Sequence, residues 1–345
     1  MRRVPTALLA LALSSPLLAS AAPPHASGSA LAWKKLGAGC PPRFAFSAVC
    51  DHAGEHVLVY GGETMRDGGF DILSDLWQFT PADERWTELK ANPSPGELAY
   101  HSATFDEKRG AMWLFGGSSR DLQPRDGLWR FDLAKSTWTQ LAPSGERPAA
   151  RFSAGLFYDA KRDRLVLWSG CKQFFEADNA FPDLWTYDIE KNAWTRCPVP
   201  APARWQSACV LIPERDELFA QGGFDERSVT HADAWTCALE TGKWTELGKG
   251  YEATDAHQAL WDASAGVVLV HGGATPSKDG LSGAASYDFK KKKWTKLAWK
   301  GADPGPRAYH AALLVSNALW VFGGTRNQFN DSLHTNESWS LPLHP

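Results

Sequence analysis

The fold is decided by a short stretch of the chain, Trp113-Leu114-Phe115-Gly116-Gly117, in which an apolar run typical of a β-strand ends in two glycines. The same combination of a strand-like run and small residues occurs six times. The six copies are Leu58-Val59-Tyr60-Gly61-Gly62, Trp113-Leu114-Phe115-Gly116-Gly117, Leu167-Trp168-Ser169-Gly170, Phe219-Ala220-Gln221-Gly222-Gly223, Val270-His271-Gly272-Gly273 and Val321-Phe322-Gly323-Gly324. Their first small residues stand at positions 61, 116, 169, 222, 272 and 323, so the pattern returns every 50 to 55 residues. A period of this length predicts an array of six similar units.

Two further signatures accompany these runs, and their spacing indicates antiparallel strands. The first brings together an acidic or polar residue and an aromatic residue after a polar loop. Its copies are Asp75-Leu76-Trp77, Asp126-Gly127-Leu128-Trp129, Asp183-Leu184-Trp185, Asp233-Ala234-Trp235, Ser286-Tyr287-Asp288 and Glu337-Ser338-Trp339. The second is a Trp-Thr pair, found at Trp86-Thr87, Trp138-Thr139, Trp194-Thr195, Trp244-Thr245 and Trp294-Thr295. It follows the aromatic residue by seven to nine positions, which fits two antiparallel strands joined by a short turn.

The sixth unit lacks a Trp-Thr pair, whereas an extra copy of that element, Trp33-Lys34-Lys35-Leu36, precedes the first unit. An incomplete unit would leave an open sheet edge, which folded proteins avoid. We therefore predict that the segment from Trp33 to Leu36 is the outermost strand of the last unit and closes the array into a ring.

With these three signatures in this order, the chain from Trp33 to Leu341 resembles the kelch family of β-propellers. The resemblance implies an all-β fold: a six-bladed kelch β-propeller whose ring is closed by an N-terminal strand that completes the last blade. Each four-stranded blade would bury its faces against its two neighbours. The resemblance also implies that the innermost strand of each blade lines a central channel.

The amino end has the composition of a secretory signal. Arg2 and Arg3 precede an apolar run from Ala7 to Ala19, and the small residues up to Ala21 form a cleavage pattern. We assign residues 1–21 to a signal peptide, 22–32 to a linker and 33–345 to the propeller. We expect an exported protein, periplasmic or extracellular. No later stretch has the roughly 20 apolar residues of a spanning helix, so no membrane span is expected.

The composition excludes several partners and chemistries. Lysine and arginine number 36 against 39 aspartate and glutamate, a net charge of −3, so the chain lacks the basic surplus of nucleic-acid-binding proteins. The six cysteines form no C-x-x-C pair or Cys/His cluster of metal-ligand spacing, so we expect no metal and no cofactor. If an exported chain of this kind carries a disulfide, Cys40 with Cys50, or two of Cys197, Cys209 and Cys237, are the first candidates. We expect a monomer.

The candidate binding residues come from one position that recurs at the start of the expected innermost strand. Around the ring this position reads Arg43, Leu98, Arg151, Arg204, Thr254 and Arg307. By the resemblance, the four arginines lie at one mouth of the channel. Each could pair with an acid or carbonyl group in its blade, or together they could form a cationic pocket for carboxylates. Kelch domains that bind acidic peptides use arginines at this position, so we favour the pocket.

Two aromatic residues next to these arginines complete the candidate site. Trp205 and Tyr309 follow Arg204 and Arg307 closely, and Trp205 lies outside the recurring aromatic positions, as does Trp299 in the loop before the last blade. Tyr309-His310 resembles a pair in galactose-oxidase-type copper enzymes. The repeat itself produces Arg-x-x-His, however, so we interpret the recurring histidines as structural. They are His101, His257 and His310.

These observations favour an exported module that binds a ligand or protein at one channel mouth, with no catalytic residue assigned. The expected partner is a protein, a peptide or an acidic glycan, held by Arg43, Arg151, Arg204, Arg307, Trp205 and Tyr309. The alternative is a sugar-directed enzyme of the sialic-acid mutarotase or epimerase type, which the kelch resemblance also allows. A carboxylate and an arginine that converge in a closed channel pocket would favour that enzyme.

Overall fold

The computed structural model describes residues 31–51, 53–66, 69–174, 176, 178–252, 254–326 and 334–343. Within them the chain forms 28 strands and one 3₁₀-helix, Pro213–Arg215, so the protein is all-β as predicted. The expected signal peptide, residues 1–21, and most of the expected linker lie outside the described residues.

The first half of the described chain forms two short N-terminal strands and three blades. The N-terminal strands are β1 (Leu31–Ala32) and β2 (Lys34–Ala38). Blade 1 and a hairpin in its loop consist of β3 (Ser47–Cys50), β4 (Val57–Tyr60), the hairpin strands β5 (Glu63–Arg66) and β6 (Gly69–Ile72), then β7 (Leu76–Thr80) and β8 (Arg85–Leu89). Blade 2 consists of β9 (Ser102–Asp106), β10 (Ala111–Phe115), β11 (Leu128–Asp132) and β12 (Thr137–Leu141). Blade 3 consists of β13 (Gly155–Asp159), β14 (Arg164–Trp168), β15 (Leu184–Asp188) and β16 (Ala193–Arg196).

The second half continues the same order. Blade 4 consists of β17 (Ala208–Ile212), β18 (Glu217–Gln221), β19 (Asp233–Ala238) and β20 (Trp244–Lys249). Blade 5 consists of β21 (Gln258–Asp262), β22 (Val267–His271), β23 (Ala284–Asp288) and β24 (Lys293–Lys296), and is followed by the short β25 (Trp299–Lys300). Blade 6 contains β26 (Ala311–Val315), β27 (Ala318–Phe322) and β28 (Glu337–Pro342). Strands that are consecutive within a blade pair antiparallel with each other.

Blade 6 takes its fourth strand from the amino-terminal side of the ring. β2 pairs antiparallel with β28, where Lys35 lies opposite Trp339, and Lys35 Nζ forms an ion pair with Glu337. β1 pairs with β25, with Leu31 opposite Trp299. The prediction of a closing N-terminal strand is therefore confirmed.

The six blades surround a channel and pack through aromatic side chains. The innermost strands β3, β9, β13, β17, β21 and β26 contact one another in cyclic order. A hydrophobic cluster fills each of the six interfaces between neighbouring blades. Between blades 2 and 3 the fully buried Trp113 packs 5.9 Å from Tyr187, and between blades 6 and 1 Trp86 packs 4.7 Å from Phe322. The abundant tryptophans thus stabilise the ring as packing residues.

The glycine pair recurs because two backbones approach closely there. Gly61 and Gly62 both adopt positive φ, 60° and 98°. The Gly62 N–H donates to the Leu98 carbonyl of the next blade at 2.8 Å. A Cβ on Gly62 would lie 2.7 Å from the Phe44 carbonyl oxygen, so a larger residue does not fit.

Blade 5 departs from the predicted alignment of the second signature. Ala285 is the second residue of β23 and occupies the place that Trp77 holds in β7. Our alignment of the six repeats placed Tyr287 opposite Trp77. In the structure Tyr287 corresponds to Phe79 and packs 5.2 Å from Trp294. That part of the alignment was wrong by two residues, because blade 5 lacks the aromatic residue of the signature.

Candidate functional site

The recurring arginines are directed into their own blades and are bonded there. Arg43 donates two hydrogen bonds of 2.8 Å to the Asp75 carboxylate and one of 2.9 Å to the Gly61 carbonyl. Arg151 donates two of 2.6 and 2.9 Å to Asp183. Both guanidiniums are fully buried. Burial alone would raise the pKa of Asp75, but the hydrogen bonds and charge of Arg43 hold it below its usual value.

The other two arginines vary this arrangement. Arg204 donates one hydrogen bond of 2.6 Å to Asp233 and keeps 11% of its side chain exposed. Arg307 is fully buried and donates to backbone carbonyls, including Gly323 at 3.0 Å. In its blade the acid, Glu337, pairs with the closing strand instead. Burial consequently lowers the pKa of Arg307 to about 10.

This arrangement differs from the cationic pocket expected above and corrects that expectation. Arg43, Arg151 and Arg307 have no exposed surface, and Arg204 donates to an acid of its own blade. The four arginines could have formed a shared cationic pocket or bonded within their own blades. In the structure they bond within their own blades. The preference for a pocket was wrong because residue spacing locates a strand but does not show where a long side chain ends.

Where the arginine is absent, its acid is absent as well. Leu98 stands at the arginine position of blade 2 and Gly127 at the acid position, while blade 5 has Thr254 and Gly283. This paired loss was readable from the sequence and is the signal that identifies the arginines as members of structural pairs.

A closed ring of backbone hydrogen bonds encircles one mouth of the channel. Its six members, each just before the innermost strand of its blade, are Ala45, Tyr100, Ser153, Gln206, Ala256 and Tyr309. All have left-handed φ values between 51° and 55°. Each N–H donates to the carbonyl of the member in the preceding blade, with N···O distances of 2.8 to 3.4 Å, and Ala45 closes the cycle by donating to Tyr309. We call these six residues the mouth ring.

An open pocket of about 550 Å³ lies at the mouth ring. It is lined by Phe44, Glu63, Phe70, Ile72, Tyr100, Arg120, Leu122, Phe174, Gln206 and Tyr309, and we call it the mouth pocket. Of the predicted binding residues, Tyr309 lines it. The Tyr309 hydroxyl donates to Gln206 Oε1 at 3.1 Å, and the Tyr100 hydroxyl donates to Glu63 Oε2 at 3.4 Å.

The walls of the mouth pocket are aromatic and its rim is apolar. The Tyr309 ring lies edge-on to Phe44 and Tyr100, with centroids 6.0 and 5.8 Å away, and Phe174 packs 4.8 Å from Tyr100. At the rim, Phe70 and Leu122 are 44% and 66% exposed. Two large apolar side chains exposed beside one pocket are typical of an interaction site.

The base of the mouth pocket is acidic. Burial raises the pKa of Glu63 to about 7, partly opposed by the Tyr100 hydrogen bond. At the rim, Arg120 is already engaged by Glu97 at 2.8 Å and by Asp71 at 3.2 Å. Among the described residues, the mouth pocket is therefore not electropositive as expected: Arg120, its one lining cation, is paired with acids, and the Glu63 carboxyl remains.

Sequence reasoning missed Glu63, although a signal was present. The residue directly after the glycine pair reads Glu63, Ser118, Cys171, Phe224, Ala274 and Thr325 around the ring. Glu63 is the one charged residue at this position of the repeat, which marks it as a departure without a repeat-wide structural role.

Trp205 lies beneath the surface and does not reach the mouth pocket's lining. It is fully buried, stacks on Phe224 at 4.4 Å and lies 5.7 Å from Phe174. Its indole N–H donates to the Asp225 carbonyl at 3.2 Å. The structure therefore places Trp205 as a support for the pocket wall, in contrast to the contact residue expected.

The recurring histidines form hydrogen bonds with neighbouring blades. His101 Nε2 lies 2.7 Å from Ser47 Oγ, His257 Nε2 lies 2.6 Å from Gln221 Oε1, and His310 Nε2 lies 2.9 Å from a ring nitrogen of His271. Burial lowers the pKa values of His101 and His257 to about 3, so both are neutral at pH 7. These contacts agree with the structural interpretation of the three residues.

Asp51, Glu55 and His56 bring three potential ligand atoms within 4.8 Å of one another. Asp51 Oδ1 accepts the N–H groups of Glu55 and His56, at 2.7 and 3.2 Å, and its other oxygen lies 2.8 Å from His56 Nδ1. Asp106 accepts a backbone N–H in the same way in the corresponding turn of blade 2. The group is thus explained as a hairpin cap.

A family model described as Attractin/LZTR1 beta-propeller matches residues 112–341. The chain belongs to this family. The Attractin/LZTR1 match begins within β10 of blade 2 and runs to β28 of blade 6, and blade 1 has the same four-stranded order. Because the relatives include kelch-type propellers, the kelch resemblance is supported. Among the described residues, no helix has the length and apolar character needed to cross a membrane.

The chain is similar to parts of larger proteins. It is 29% identical over 189 residues to Mei4-dependent protein 6 of Schizosaccharomyces pombe, a match covering 48% of this chain and 26% of that protein. It is 23% identical to the leucine-zipper-like transcriptional regulator 1 homolog of Drosophila melanogaster, covering 78% of this chain and 28% of that protein. It is 25% identical to the human multiple epidermal growth factor-like domains protein 8, covering 78% of this chain and 10% of that protein. The matches thus span between 10% and 28% of the length of these relatives.

Proposed function

We propose that this chain is an exported propeller module that binds a partner protein at the mouth pocket, where a lysine or arginine side chain of the partner enters. The observation that carries the proposal is the Glu63 carboxyl at the base of a pocket with aromatic walls. The signal-like residues 1–21 support export, and the propeller fold, typical of protein-interaction modules, supports a protein partner.

The aromatic walls suit a cation. A lysine or arginine head group is attracted to the faces of aromatic rings within about 6 Å. Tyr100, Phe174 and Tyr309 supply three partly exposed rings around one space, and the fully buried Phe44 packs behind them. The aliphatic stem of the partner's side chain would pack against the exposed Phe70 and Leu122 at the rim.

The charges near the pocket favour the same occupant. A bound cation favours the ionised form of Glu63, because an opposite charge lowers the pKa that burial has raised. The hydroxyls of Tyr100 and Tyr309 stay neutral, since burial raises both of their pKa values. Arg120 is held at the rim by Glu97 and Asp71 and does not compete for Glu63.

The mutarotase or epimerase alternative finds no support. The buried arginine–carboxylate pairs of the described chain, such as Arg151 with Asp183, lie inside blades and not in a closed channel pocket. The channel itself, a cavity of about 220 Å³, is lined by small, apolar and neutral polar residues of the innermost strands.

Binding of small probes tests the proposal. Nα-acetyl-lysine amide and Nα-acetyl-arginine amide should bind the full chain in an NMR titration, whereas Nα-acetyl-norleucine amide, which lacks the charge, should not. Glu63→Gln should weaken lysine amide binding by roughly tenfold or more, on the scale of a charge-assisted hydrogen bond. Glu190→Gln, which removes an exposed acid of blade 3, is the matched control. Equal binding of the norleucine probe, or unchanged binding by Glu63→Gln, would contradict a cationic occupant.

A further inference from the structure

A second cavity, of about 530 Å³, opens in blade 5 beside its loops. Its buried floor includes Gln221, Thr254 and His271, and its rim includes Lys296 and Trp299. We call it the blade-5 cavity. It shares no lining residue with the mouth pocket.

The blade-5 cavity occupies the place where blades 1, 3 and 4 hold an arginine–aspartate pair. Thr254 replaces the arginine and Gly283 replaces the aspartate, and both line the cavity. In blade 2 the same loss is compensated, because Leu98 is buried in the hydrophobic cluster that contains Tyr60 and Trp138. In blade 5 no described side chain fills the place of the missing pair, and the cavity there has the size of a small-molecule site.

The floor of the cavity is polar but uncharged, as its residue His271 shows. His271 is 1% exposed, and its Nδ1 lies 2.9 Å from His310 Nε2. Its Nε2 has no hydrogen-bond partner among the described residues. Burial lowers the pKa of His271 to about 3, so the imidazole is a neutral hydrogen-bonding group. The described residues of the floor therefore offer neutral polar groups and no charge.

The rim supplies positive charge. Lys278 and Lys296 are both exposed and line the opening, against one lining acid, Glu252. Tyr251 and Trp299 add aromatic surface beside them. This combination of two ammonium groups, aromatic faces and a neutral polar floor suits a compact organic anion with hydroxyl groups.

We propose that the blade-5 cavity is a binding site for a small hydroxylated carboxylate, such as a sugar acid. The carboxylate faces Lys278 and Lys296 at the rim, while the hydroxyl groups lie over the polar floor that includes Gln221, Thr254 and His271. The site is independent of the mouth pocket.

An NMR titration of the full chain with D-glucuronate tests the proposal, with D-glucose as the uncharged match. Glucuronate should bind and shift the Trp299 indole and His271 ring signals, and glucose should bind more weakly by roughly tenfold. Absence of glucuronate binding at millimolar concentration, or equal binding of glucose, would overturn the proposal.

A variant that refills the space tests the location. Thr254→Arg with Gly283→Asp restores the pair of the other blades, and an added Cβ at Gly283 meets only the Tyr251 hydroxyl, at 3.6 Å. This variant should stay folded, lose glucuronate binding and keep lysine amide binding at the mouth pocket. Retained glucuronate binding in the folded variant would place the ligand elsewhere and overturn the proposal.

Charge variants keep the test decisive if the refilled chain does not fold. Lys278→Gln with Lys296→Gln changes only exposed side chains and should weaken glucuronate binding roughly tenfold. Lys243→Gln, an exposed lysine of blade 4, is the matched control and should have no effect. Equal affinities in the double variant and the control would contradict recognition of an anion.

Discussion

Asp183 holds Arg151 through two hydrogen bonds of 2.6 and 2.9 Å in a place from which the guanidinium reaches no solvent. Removing one member of a buried ion pair leaves the other charged and unpaired. Arg151→Ala should therefore lower the free energy of unfolding by about 3–5 kcal/mol, measured by urea denaturation. Arg196→Ala, an exposed arginine of the same blade, should change it by less than about 0.5 kcal/mol.

The same Arg151 variant separates structure from recognition. Its folded fraction should bind lysine amide as tightly as the unaltered chain, because Arg151 does not line the mouth pocket. If Arg151→Ala weakened lysine amide binding and left the free energy of unfolding unchanged, Arg151 would be a ligand-binding residue after all.

Closure of the ring should depend on the strand pairing of β2 with β28 more than on the ion pair between Lys35 and Glu337. Deleting residues 22–37 removes most of β2 and exposes the edge of β28, so the melting temperature of the whole ring should fall. Deleting residues 22–30 alone leaves β1 and β2 in place and is the control. Lys35→Met should cost at most about 1 kcal/mol, because its side chain is half exposed. An unchanged melting temperature after the longer deletion would contradict a role for β2 in closure.

Glu63 should make stability depend on pH in a specified direction. Its folded-state pKa of about 7 lies above its ordinary value of 4.5, so the folded state holds the proton more tightly. The resulting stabilisation is complete below pH 4.5 and is lost as pH rises through 7. Glu63→Gln should thus be more stable than the unaltered chain at pH 8, by up to about 3 kcal/mol, and equally stable at pH 4. Thermal melts from pH 4 to pH 8 measure the stability difference between the variant and the unaltered chain. A difference that does not change with pH would contradict a raised pKa of Glu63.

The purified protein should contain no stoichiometric copper, iron or zinc. The ligand-type atoms of Asp51 and His56 are bonded to each other and to turn N–H groups, so they already have partners. Elemental analysis after dialysis checks this expectation. One metal ion per chain would contradict it, and the variant Asp51→Asn would then show whether this turn holds the ion.

The sequence repeat made the blades and the closure of the ring predictable. The binding site was not predictable in this way, because it depends on side-chain contacts between distant residues, which the spacing of a repeat does not reveal. The copy at Trp33 identified the strand that pairs with Trp339 because strand pairing follows the hydrophobic pattern. The direction of Arg43 was not predictable from its own position, since its partner Asp75 lies 32 residues further on. Glu63 was invisible to a search for recurring residues because it occurs once.

The mouth pocket depends on contacts between residues that lie even further apart in the sequence. Its residues come from five different blades, and the hydrogen bond between Tyr309 and Gln206 joins positions 103 residues apart. Such a site exists only after the ring has closed, so no local stretch of sequence encodes it. The paired losses at Thr254 and Gly283 could have been recognised, because covarying departures from a repeat reveal which residues touch.

The backbone of the mouth ring holds its shape independently of the side chains that it carries. Its six hydrogen bonds join backbone atoms alone, so exchanging a side chain leaves the frame intact. The left-handed φ values set the one restriction, since β-branched residues are strained there while alanine, serine, glutamine and tyrosine are present. Three of the six members, Tyr100, Gln206 and Tyr309, carry side chains that line the mouth pocket. Substitutions at these three positions would therefore change the chemistry of the pocket while the backbone circle that holds it stays the same.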